Sequence, residues 1–193
     1  KMDLEGRLRA IHDPSFCGKL SEEAHHEKAT QLPMHQVFWM GTGKSPDYAA
    51  TDDKSLASLS KAAGEHWSET FLRLSRESNG KGLFTFRMFN VNLDALGDLF
   101  QSKRAFPSLG DAGAHVSQIM DAGWATFVLS HWIREIGLYS MGEGIRRLTS
   151  GPARVMGLRD RGILAPGMRA DVNIFDADEV SECHPELVHD FPG

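Results

Sequence analysis

At 193 residues the chain is long enough to bury a real core, and its apolar (41%) and charged (24%) fractions are ordinary for a globular domain. A formal net charge of −5 offers no basic footprint for nucleic acid. No apolar run approaches the ~20 residues that span a bilayer, so no membrane partner is expected. Cys17 and Cys183 are too few and too far apart for a disulfide framework, which favours a reducing cytoplasm. The opening Lys1-Met2-Asp3-Leu4-Glu5-Gly6 has no apolar h-region, so no signal peptide is expected. The start at Lys1 and the turn-like end at Phe191-Pro192-Gly193 suit a fragment or partial reading frame, with trimming as the alternative.

Leu4, Leu8 and Ile11 are spaced for one helical face, and Asp13-Pro14 should end that helix. The polar run from Ser21 to Lys28 predicts a second helix with Ser21 as its cap. His35 to Met40, bounded by Pro33 and Gly41, reads as a short buried strand, and residues 41–53 as a loop. Within that loop Gly41 to Ser45 lacks the spacing of a phosphate-binding loop. Asp53 to Gly64 reads as a helix closed by its glycine. Trp67, Phe71 and Leu74 mark the stripe of the next helix, ending near Asn79-Gly80. Leu83 to Phe89 is the best strand pattern, and Asn92 should cap a helix carrying Leu93, Leu96, Leu99 and Phe100.

Ala105 to Leu109 reads as a weak strand, Trp124 to Tyr139 as a long apolar helix, and Gly144 to Gly157 as a helix interrupted at Gly151-Pro152. Ala170 to Phe175 alternates apolar with polar, as a half-buried strand does. Strand-then-helix alternation between 35 and 157 predicts a parallel α/β sheet.

The chemistry-bearing block is Gly110-Asp111-Ala112-Gly113-Ala114-His115, a carboxylate and an imidazole among residues with almost no side chain. A strand leading into it would place Asp111 at a strand's C-terminal end, where catalytic groups of parallel barrels collect. The small residues leave room for a ligand or metal to approach the backbone. If the chain turns helical here, Asp111 and His115 share a face. The plainer alternative makes Asp111 a helix cap and the small residues packing positions.

Two further runs follow: Leu148-Thr149-Ser150-Gly151-Pro152-Ala153-Arg154-Val155-Met156-Gly157-Leu158, and the stretch from Asp160-Arg161-Gly162 through Pro166-Gly167 to Ala170-Asp171 and Asp176. Together with the Asp111 block they closely resemble the C-terminal end of metal-dependent amidohydrolases, in the D-aminoacylase (N-acyl-D-amino-acid deacylase) branch. The resemblance is strongest over 107–178, moderate over 83–106 and weak before that. It implies the C-terminal part of a TIM barrel over residues 1–158, followed over 159–193 by one or two strands of a small flanking β-sandwich.

The resemblance also implies roles. A divalent metal, zinc in this branch, would activate a water in the family's site. Asp111 would serve as general acid/base and touch the metal, while Gly110, Ala112, Gly113 and His115 would line the substrate. His115 is open between orienting Asp111, contacting substrate and packing. The implied substrate is an N-acyl amino acid or related amide. The family's His-x-His and further ligands are not present: His25-His26 diverge by about 100° on a helix, and the remaining histidines lack zinc-ligand spacing. A homo-oligomer or an N-terminal partner segment is therefore expected, because a partial barrel leaves sheet edges open. The alternative is a catalytically incomplete fragment acting as an oligomeric or interaction module.

Overall fold

The computed structural model describes residues 4–26, 32–42, 46–108, 110 and 121–185. The chain divides into two compact units, residues 1–91 and 92–193.

The first unit is built from helices around a short sheet. Helix α1 (Leu4–His12) ends at Asp13 as expected. Asp13 then caps α2 (Pro14–Ala24): its Oδ1 accepts from the Ser15 and Phe16 amides at 2.9 and 3.4 Å, and Pro14 takes the first helical position, where its missing N–H is not needed. Ser21 is therefore inside the helix rather than its cap. Strand β1 (Val37–Trp39) follows a single 3₁₀ turn. Helix α3 (Leu56–Ala63) starts at the Ser55 cap and closes on Gly64, whose φ of +67° is the left-handed conformation a glycine adopts without strain. Helix α4 (Trp67–Glu77) leads through Gly80 (φ +70°) to β2 (Phe84–Phe86).

β2 returns antiparallel to β1, with Val37 opposite Phe86 and Trp39 opposite Phe84. Among the described residues this pair is the whole sheet, so the expected parallel sheet is corrected. The intervening excursion through α3 and α4 turns the chain around instead of carrying it over one face. The long strand read over 83–89 shortens to three residues, and Met88 and Phe89 are exposed. Phe38 and Leu56 anchor the core, with Met40, Ala50 and Leu72 also buried. Truncating a side chain such as Phe38 to Ala should cost about 3–5 kcal/mol.

The second unit is helical. Asn92 caps α5 (Leu93–Phe100) by accepting from the Ala95 amide at 3.0 Å, as its sequence implied. Helix α6 (Trp124–Phe127) widens into a π-helix over Val128–Glu135, where the Ile136 amide reaches back five residues to the His131 carbonyl at 2.9 Å. The helix read as continuous to Tyr139 thus stops earlier, and Gly137 (φ +67°) turns the chain. Helices α7 (Met141–Leu148) and α8 (Ser150–Val155) break at Thr149, just ahead of Gly151-Pro152. Val128, Leu129, Trp132, Ile133 and Tyr139 form the core, against which Leu93, Leu96, Phe100, Ile145 and Val180 pack.

Two expected strands do not form. Ala105–Ser108 is irregular, because Pro107 lacks a donor and Arg147 already takes the Ala105 carbonyl; Leu109 lies outside the described residues. Residues 170–175 have no strand partner among the described residues, and the faces meant to be buried meet solvent, with Ile174 96% exposed. No helix among the described residues is long and apolar enough to cross a membrane.

Candidate functional site

The described structure fixes the approach to the Asp111 block and the exit from it. On the approach, Arg147 of α7 is buried to 3% exposure. Its Nη1 donates to the carbonyls of Ser102 (2.9 Å) and Ala105 (2.7 Å), and its Nε to Glu143 (2.7 Å). The guanidinium stacks over Tyr139 at 4.5 Å, and the Tyr139 hydroxyl donates to the Phe100 carbonyl at 2.8 Å. A buried cation is tolerated here because its donors are met by a carboxylate and two carbonyls. Phe106 packs where Gly151 has no side chain, and Pro107 is buried. The α7–α8 pair therefore holds the segment that runs into Gly110, itself half-buried.

Asp111, Ala112, Gly113 and His115, the expected acid/base, metal and substrate residues, lie outside the described residues. On the exit, the π-helix carries His131, 7% exposed and stacked on Phe127 at 4.7 Å. Its Nδ1 meets Glu135 at 2.9 Å. These contacts account for His131 as a packing residue, in keeping with its sequence context.

Sequence reasoning missed the charge cluster of α7. Glu143 accepts from Arg146 Nε and Nη2, both 2.7 Å, as well as from Arg147. Arg146, then Arg147, hold its carboxyl far below the ordinary range, down to about 2. The signal was present as Glu143 with basic residues three and four positions on. Sequence reasoning also missed His66, whose Nδ1 accepts from the Ser68 amide at 3.4 Å to cap α4 while its ring stacks on His25 at 3.9 Å. Burial, then His25, push its pKa down, against Glu69. Arg169 pairs with Asp171 at 3.2 Å in an exposed ion pair.

Among the described residues no group of three or more His, Cys, Asp or Glu could hold a metal ion. These residues do not fit a zinc site by themselves. Cys17 and Cys183 are both unpaired.

Comparison with known proteins places the approach, the block and the exit in one sequence family. The amidohydrolase family model matches residues 105–190. This segment is similar in sequence to the amidohydrolase family. Within the chain a 61-residue stretch is 46% identical to an N-acyl-D-glutamate deacylase of Alcaligenes xylosoxydans xylosoxydans, covering 31% of this chain and 12% of that protein. The chain spans about an eighth of that relative's length. No solved structure matches the chain.

Proposed function

We propose that the chain is part of a hydrolase that cleaves the amide C–N bond of an N-acyl-D-amino acid. The identity with an N-acyl-D-glutamate deacylase carries this reading, and the family match spans the Asp111 block. In it Asp111 is the general acid/base. Its carboxylate takes a proton as water attacks the acyl carbon, then delivers a proton to the leaving amine as the C–N bond breaks. Gly110, Ala112, Gly113 and His115 line the acyl substrate.

The complete enzyme in this reading is a TIM barrel, with residues 1–158 supplying its C-terminal part and 159–193 part of the flanking sandwich. Zinc is the cofactor we propose on the family alone, and Asp111 is the chain's contribution to holding it. The two unpaired cysteines support a cytoplasmic location.

The test is release of free amino acid from N-acetyl-D-glutamate, with the L-isomer as control. Asp111→Asn should lower turnover by at least about 100-fold without changing the fold. Equal turnover by the variant would overturn the role, and no D-selective release by the wild-type chain, alone or with a complementing N-terminal segment, would overturn the reading. The second reading is an oligomeric or interaction module, favoured by the exposed apolar residues Leu164 and Ile174. Under it, Asp111→Asn shifts stability slightly and affects nothing else.

A further inference from the structure

Beside α7 the second unit carries a concavity of about 700 Å³, in the size range of small-molecule clefts. Leu138 and Tyr139 form its apolar side; Lys103, Arg146 and Arg147 bring positive charge, opposed within the lining by Glu143. One carboxylate shared between two guanidiniums leaves an excess of positive charge. Lys103 is exposed and has no ion pair among the described residues, so it adds to that excess. Arg146 spends Nε and Nη2 on Glu143, which leaves its Nη1 without a hydrogen-bond acceptor among the described residues. Gln101, at the rim, donates to Asp98 at 3.3 Å and keeps one further amide hydrogen.

We propose that this concavity binds a small organic anion: a carboxylate held by Lys103 and Arg146, with a short branched apolar group against Leu138 and Tyr139. Arg147 is the floor and not a ligand, because its donors already hold Glu143 and the Ser102 and Ala105 carbonyls. The depressed pKa of Glu143 accords with the positive field there. The proposal does not depend on the amide chemistry proposed for Asp111.

Isocaproate tests it, because it has the carboxylate and the branched chain but no amide bond to hydrolyse. Titration of the full chain, followed by calorimetry, should show saturable binding. Isocaproamide, the uncharged counterpart, and inorganic phosphate, which lacks the apolar group, should each bind at least about threefold more weakly. Lys103→Gln and Arg146→Gln should each weaken isocaproate binding by about three- to tenfold, as expected for partly exposed charge pairs. Thermal melts identify a variant that has lost its fold, and the other then decides. The proposal is overturned by no saturable binding up to about 10 mM, by equal binding of acid and amide, by phosphate binding as tightly as isocaproate, or by unchanged affinity in a folded variant.

Discussion

At the scale of single residues, Glu143 concentrates the electrostatics of the second unit. Its carboxylate is the counter-charge of the buried Arg147, so removing it leaves a cation with only two carbonyl partners. Glu143→Gln keeps the shape and loses the charge. We expect about 1.5–3 kcal/mol of destabilisation at pH 7, the range for hydrogen bonds to charged groups, measured by denaturant unfolding. The pH dependence follows from the direction of the shift. The carboxyl is held at about 2 in the fold against an ordinary 4.5. Its stabilisation is therefore complete above 4.5 and is lost as pH falls toward 2. Wild type should lose this part of its stability across that window and Glu143→Gln should not; parallel acid titrations of the two would show that Glu143 does not carry the effect. Little of this was legible in advance. The i, i+4 spacing of Glu143 and Arg147 was in the sequence, but a surface pair and a buried clamp share that spacing. What separates them is where the Ser102 and Ala105 carbonyls fall. Asp111 is the reverse case: its reading comes from its neighbours in sequence alone, and it lies outside the described residues.

At the scale of elements, the caps were the most readable features and the strands the least. Asn92 and Gly64 act locally, through their own side chain or φ, and both do what their sequence implied. Ser21 was misread because Asp13, eight residues earlier, is the stronger cap with proline behind it. Strands need partners, and the alternation at 170–175 says nothing about whether a partner is present. The α7–α8 pair tests the same logic by packing. A Cβ placed on Gly151 would stand 2.5 Å from Phe106 Cε1 and 2.9 Å from the Arg146 carbonyl oxygen. The phenyl ring can tilt, but the carbonyl belongs to α7 and cannot move without it. Gly151→Ala should destabilise the second unit by about 1–3 kcal/mol, as overpacking does, despite alanine's better helix propensity. Thermal unfolding followed by the near-ultraviolet signal would measure it; a variant as stable as wild type would mean that Phe106 is not seated against this glycine.

At the scale of the whole molecule, the part after α8 is unlike the rest. Met156, Leu164 and Ile174 are between 74% and 96% exposed, and Val172 is 53% exposed, in a stretch with no helix or strand among the described residues after α8. Single exposed apolar residues are ordinary, but a run of them along one irregular segment offers surface for association. Of these, Val172 and Ile174 fall in the half-buried strand expected over 170–175; among the described residues nothing covers their apolar face. Backbone amides and carbonyls without strand partners add a second reason to associate, since an extended segment can pair with its like in another molecule. The chain should therefore associate as its concentration rises, and sedimentation velocity should show the mean mass increasing. Leu164→Lys with Ile174→Lys should shift that curve to higher concentration, because each lysine places a charge where a neighbour would have to cover it. Neither residue belongs to a buried core, so folding stability should stay within about 0.5 kcal/mol of wild type. Unchanged association in the double variant would move the sticky surface elsewhere, and a chain monomeric at every concentration would show that these side chains are exposed without consequence.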